Sequence, residues 1–85
     1  MLRIRFLKKI ADILFYIGKF DAAISVLEKL VDLFDRIKDK KKFSPIKKVF
    51  ISDCHAMLAT LYKKQGYSEK QIKKMRIKST AVLYW

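Results

Sequence analysis

Two stretches of this chain share one layout. LFYIGKFDAAISVLEKLVDLF (Leu14–Phe34) and LATLYKKQGYSEKQIKKM (Leu58–Met75) each run from an apolar helix end through a single glycine into an amphipathic helix. A glycine at that place takes the left-handed conformation that ends a helix, and the 3.6-residue period restarts a few residues beyond it. Each stretch therefore predicts two antiparallel helices joined by a tight turn. The expected fold is all-α: two helical hairpins, four main helices, in a single domain over residues 1–85. Hairpin 1 is expected at about 2–37, a basic linker at 38–43, hairpin 2 at about 44–78, and a tail or short helix at 79–85.

The first helix, about Leu2 to Ile17, carries Leu7, Ile10, Ala11, Leu14 and Ile17 at helical spacing. A second apolar set, Ile4, Phe6, Ile13 and Phe15, lies off that stripe, and Arg5, Lys8, Lys9, Asp12 and Tyr16 leave only a narrow polar strip between them. A helix apolar around most of its circumference is normally covered on more than one side. The other helices of an 85-residue chain can cover only part of it, so Ile4, Phe6, Ile13 and Phe15 are the candidate partner-binding residues.

Asp21 is placed to cap the second helix, which is expected over about Ala22 to Ile37 with Ala23, Val26, Leu27, Leu30, Leu33, Phe34 and Ile37 inward. Ser44-Pro45 opens the third, a capping hydroxyl followed by a ring that presets the helical φ. Ile46, Val49, Phe50, Cys54, Met57, Leu58, Leu61 and Tyr62 then fall on one face. Gly66 closes that helix, and Ser68-x-x-Gln71 reads as a capping box for the fourth, with Ile72, Met75, Val82 and Leu83 inward. The pattern weakens around Lys78-Ser79-Thr80, so AVLYW reads equally as a continuing helix, a separate one or a docking tail.

The formal net charge of +12 points to anionic partners: acidic protein, nucleic acid or anionic lipid. Positive charge gathers in residues 1–9, 38–48 and 63–78, while 10–37 and 49–62 are net acidic. The candidate anion-binding residues are Lys40, Lys41, Lys42, Lys47, Lys48, Lys63, Lys64, Lys70, Lys73, Lys74, Arg76 and Lys78. A solvated surface that keeps the protein soluble is the plainer alternative.

Leu14…Gly18-x-Phe20…Ala23-Ile24…Leu27…Leu30, and Leu58, Ala59, Tyr62 and Gly66 with Ile72 and Met75 in the second copy, resemble the tetratricopeptide repeat, a helix-turn-helix unit of about 34 residues. The resemblance covers roughly residues 4–78 and implies a protein-binding array of stacked hairpins. Two features depart from it. Gln71 stands where the first copy has the small Ala23, and the glycines lie 48 positions apart, 18 to 66. A separate resemblance, of Gly66–Trp85 to helix-turn-helix DNA-binding motifs, rests on the Gly-x-Ser start, Ile72, a break near Arg76–Lys78, and Val82 with Trp85. It implies a recognition helix with Lys78, Ser79 and Thr80 near DNA.

The sequence gives no sign of catalysis. His55 has no second ligand at metal-binding spacing, adjacent Cys54 and His55 point about 100° apart on a helix, and isolated glycines cradle no phosphate. Neither cofactor nor small-molecule substrate is expected. The aromatics Phe6, Phe20, Phe34, Phe50 and Tyr62 fall at core spacing, leaving Tyr67, Tyr84 and Trp85 as candidates for exposure. A lone cysteine suits an intracellular, reducing compartment, cytoplasmic or organellar, rather than secretion. The basic, acid-free start MLRIRFLKKI also shares a pattern with organelle-targeting peptides, mitochondrial ones included. No window approaches the roughly 20 apolar residues that span a bilayer. The expected function is a non-catalytic interaction subunit, an obligate or homo- or hetero-oligomeric partner of other proteins. Nucleic-acid binding, through the C-terminus or an RNA phosphate clamp, and docking on an anionic membrane are the alternatives.

Overall fold

The computed structural model describes residues 2–36 and 44–84. They form four helices, α1 (Leu2–Tyr16), α2 (Phe20–Asp35), α3 (Pro45–Lys64) and α4 (Glu69–Val82), with no strand among the described residues. α1 packs on α2, α2 on α3, and α3 on α4. The chain is thus two hairpins laid side by side, as the repeated layout predicts.

Both hairpin turns use the same hydrogen bonds. Gly18 and Gly66 have φ of +83° and +76°. The Gly18 N–H donates to the Phe15 carbonyl and the Lys19 N–H to that of Leu14, while Gly66 donates to Lys63 and Tyr67 to Tyr62. This is the Schellman arrangement, in which two carbonyls left over at a helix end are satisfied by the chain that turns away. In the second turn the Tyr67 ring also stacks on Tyr62, 4.4 Å between centroids, so the closing residues pack as well as bond.

The helix starts differ. Ser44 caps α3 by accepting from the Lys47 N–H at 3.3 Å with Pro45 at the first helical position. Ser68 caps α4, accepting from the Gln71 N–H, and its hydroxyl donates to the Gln71 side-chain oxygen at 3.1 Å. Asp21 does not cap α2, contrary to the sequence expectation. α2 begins at Phe20, two positions too early for that role, and its N-cap Lys19 makes no side-chain cap. The Asp21 carboxylate instead accepts from Gln65 Nε2 at 2.8 Å, tying the two hairpin turns together.

The core runs through all four helices. Ala11, Ala23, Leu27, Leu30, Cys54 and Leu61 are wholly inaccessible, with Ile51, Leu58, Phe34 and Val82 nearly so. Phe34 and Phe50 meet edge to face. Between α3 and α4 two serines clasp each other: the Ser52 hydroxyl donates to the Ser79 carbonyl and the Ser79 hydroxyl to that of Ser52, at 2.8 and 3.0 Å. Small polar side chains thereby let two helices come close without leaving a buried hydroxyl unbonded.

Three inward assignments need correction. Ile46 and Val49 are 79% and 52% exposed. At about 100° per residue, Val49 sits about 200° from Ile51, and Ile46 about 140° from it, so both fall outside the buried arc of α3. Leu83 is exposed because α4 ends at Val82. Leu33 is only half-buried, and Ile37 and Trp85 lie outside the described residues.

Cys54 behaves as a small apolar residue, as its neighbours imply. Burial pushes its thiol from 9.0 up to about 12, with the Lys8 charge opposing and those of Asp12 and Asp53 adding smaller effects. Above pH 9 the unfolded chain sheds this proton while the folded one keeps it, so stability falls as pH rises toward 12, at up to about 1.4 kcal/mol per unit. Cys54→Ala is expected to flatten that decline in urea titrations run from pH 9 to 11. An unchanged slope would show that the thiol ionises freely in the folded state.

Candidate partner-binding surface

The four apolar residues singled out on α1 divide in two. Ile4 and Phe15 turn partly inward. Ile4 lines a small apolar hollow of about 60 Å³ with Phe34, Phe50 and Ile51, and the Phe15 ring meets Phe20 edge to face at 5.7 Å. Both are partly buried and pack against the core. Phe6 and Ile13 stay on the surface, 65% and 55% exposed.

Ile17 and Tyr16 join them, 57% and 90% exposed, and Ile10 is half-buried at the margin. Ile10 and Ile17 thus depart from the stripe that they share with Leu7, Ala11 and Leu14 in the sequence. α1 turns a narrower arc inward, centred on the inaccessible Ala11 with Leu7, Leu14, Ile4 and Phe15 around it. The outward residues Phe6, Ile10, Ile13 and Ile17 are spaced 4, 3, 4, the seam spacing of helices that pack along each other. That spacing was readable in the sequence. Which of two apolar faces the hairpin would cover was not.

The charges beside this seam are mostly cationic. Lys8 pairs with Asp12 along the helix at 2.6 Å, which leaves exposed Arg5 and Lys9 to set the sign of the surface.

The basic residues of the second hairpin do not form one patch. Lys78 is half-buried and pairs with Asp35 of α2 at 3.1 Å. Lys74 lines a groove of about 310 Å³ between α2 and α4, facing Glu28, Asp32 and Asp35 across a floor of Leu58 and Tyr62. These two lysines answer the acidic side of α2. Tyr62 closes the same groove by donating to Glu28 at 2.9 Å, and burial together with that bond holds its phenol well above the usual tyrosine range.

Lys64 lies over the Phe20 ring, 5.6 Å from its centroid, at the hairpin junction. Lys47 and Lys48 are half-buried near the start of α3, and Lys63 is exposed at its end. Lys40, Lys41 and Lys42 lie outside the described residues. That leaves Lys70, Lys73 and Arg76 exposed on the outer side of α4, none in an ion pair among the described residues, with Ile77 59% exposed between them.

α4 continues unbroken through Arg76, Ile77 and Lys78 to Val82. A helix-turn-helix reading of residues 66–85 needs a turn there, and the chain makes none. Ser79, assigned to DNA in that reading, is occupied by Ser52.

Of the aromatics, Phe20, Phe34, Phe50 and Tyr62 pack within the fold and Phe6 does not. Tyr67 is held against Tyr62, and Tyr84 is 84% exposed. No helix among the described residues is long and apolar enough to cross a membrane. Comparisons with protein-family models, with curated proteins and with solved structures find no match to this chain.

Proposed function

We propose that this protein is a non-catalytic interaction subunit of a larger assembly, docked through the outer seam of α1. One observation carries the reading: Phe6, Ile13 and Ile17 stand more than half exposed in a row along a helix whose opposite face is already buried. Scattered exposed apolar residues are ordinary on a protein surface, but a contiguous apolar strip with polar margins marks an interaction site. The exposed cations of α4, Lys70, Lys73 and Arg76, form a second, separate contact surface for an anionic region of the same assembly.

The test is to recover the tagged chain from its native source, alongside a Phe6→Lys/Ile13→Lys variant. A protein partner at fixed stoichiometry is expected with the first and at least tenfold less of it with the second, while both melt at the same temperature. The substitutions are at exposed positions, so the fold should tolerate them. A monomer that melts cooperatively and carries no partner would refute the proposal. So would recovery bound to RNA or DNA in a salt-sensitive way that neutralising Lys73 and Arg76 abolishes.

A further inference from the structure

α4 buries one side and leaves the other bare. Its buried residues are Ile72, Met75 and Val82. At about 100° per residue, exposed Ile77 stands about 180° from the middle of that set. Lys70 and Lys73 fall within about 40° of Ile77, one on either side, and Arg76 about 100° round on the Lys73 side. Lys73, Arg76, Ile77, Thr80 and Ala81 together line a shallow hollow of about 470 Å³.

The helix carries a single acid, Glu69 in its first turn, against Lys70, Lys73, Lys74, Arg76 and Lys78. Lys78 is paired with Asp35 and Lys74 lines the α2 groove. That leaves Lys70, Lys73 and Arg76, none in an ion pair among the described residues, around an apolar centre. Past Val82 the amides of Leu83 and Tyr84 bond back to the Thr80 and Ala81 carbonyls. The turn holds the helical direction, so Tyr84, 84% exposed, comes about two turns beyond Ile77 on the same side.

Unpaired cations call for an anion, and the apolar line of Ile77 and Tyr84 says which kind. Single strands of nucleic acid are held in a charged groove by aromatic stacking platforms, and this face offers one aromatic, at its end. A duplex is read by polar side chains at the centre of the inserted helix face, where α4 has Ile77. An acidic bilayer answers both features, with negative charge at the headgroups and apolar depth just beneath them. Lysine and arginine stems lie along apolar material while their heads stay at the phosphates.

We infer that the outer face of α4 rests on an acidic phospholipid surface, with Lys70, Lys73 and Arg76 among the headgroups and Ile77 and Tyr84 dipping below them. This gives a chemical identity to the anionic region proposed above to meet α4, and rests on that reading. α1 stands at the other end of the packing order α1, α2, α3, α4, so a bilayer under α4 leaves the seam of α1 open to a protein partner. Each cation at such a surface strengthens binding about fivefold. Three make a reversible attachment, suited to a subunit already held by another contact.

Flotation of the full chain with vesicles of phosphatidylcholine alone, and of phosphatidylcholine with about 30% phosphatidylserine, tests the inference. Binding is expected to be at least about tenfold stronger on the acidic vesicles. Lys73→Gln/Arg76→Gln should weaken it by about tenfold or more and Ile77→Ser by about threefold or more, while Ile77→Leu stays within about twofold. Arg5→Gln/Lys9→Gln removes the same charge from α1 and should change binding by less than about threefold. All these positions are exposed, and thermal melts check that each variant folds.

Equal binding to both kinds of vesicle, which would leave the cations to an acidic protein, overturns the inference. So does an α1 pair that weakens binding as much as the α4 pair, which would make net charge alone the cause, or an Ile77→Ser variant that binds like the parent. Tighter binding to an RNA or DNA oligonucleotide than to the acidic vesicles, lost in the α4 pair, overturns it too and counts against the reading above. If the vesicles fail while a stoichiometric native partner is still lost in the Phe6→Lys/Ile13→Lys variant, the docking role of α1 stands and the lipid assignment falls.

Discussion

Leu58→Ala is expected to lower the free energy of unfolding by about 2–5 kcal/mol, whereas Ile46→Ala on the same helix changes it by no more than about 0.5 kcal/mol. Leu58 is 1% exposed, and in the groove it adjoins Val31 and Tyr62 on one side and Met75 on the other. Its loss leaves a void at a point shared by three helices, which none can close without leaving another. Ile46 is 79% exposed, and truncating it removes little that folding had taken from water. A chain of this size has a total stability of roughly 4–13 kcal/mol, so the first variant should unfold at markedly lower urea and the second should superimpose on the parent. Equal losses at the two positions would mean that α3 buries a different face.

The second large effect concerns the small residue on which the two hairpins differ. Ala23→Gln should cost about 2–5 kcal/mol, combining overpacking with a buried amide that lacks a partner, because Ala23 is wholly inaccessible between α2 and its neighbours. The reciprocal change, Gln71→Ala, is expected to cost no more than about 1 kcal/mol. Gln71 is exposed, and its side chain does no more than accept from the Ser68 hydroxyl beside the groove. Thermal melts of the two variants decide the matter: similar shifts would show that positions 23 and 71 are packed alike, against the exposure of Gln71. This asymmetry also explains how the second hairpin keeps the pattern without the small residue. Its close helix contact is made further along, at the Ser52/Ser79 clasp.

Local signals were legible where a residue acts on its own backbone. Gly18 and Gly66 each end a helix, Ser44-Pro45 and Ser68 each start one, and these follow from φ preference and capping chemistry without reference to the rest of the chain. Asp21 does not cap because the preceding turn starts α2 two positions earlier, and its carboxylate accepts from Gln65, 44 residues away. The candidate surface was half legible. An over-apolar α1 was evident, but its two apolar sets overlap on the helix, and only packing on α2 and α3 separated Ile4 and Phe15 from Phe6 and Ile13.

The charge pattern followed the same division. The sequence showed many lysines and a mostly acidic second helix. Their distances apart were set by how α2 and α4 face each other over α3, which pairs Lys78 with Asp35, places Lys74 along the groove and leaves Lys70, Lys73 and Arg76 outward. By itself, then, the sequence determined the all-helical class, the two glycine turns and the presence of more apolar helix surface than two hairpins can cover, because periodicity and turn chemistry are local. Only the tertiary structure decided which strip of α1 stays bare and which cations stay unpaired, because burial depends on what the other helices bring alongside.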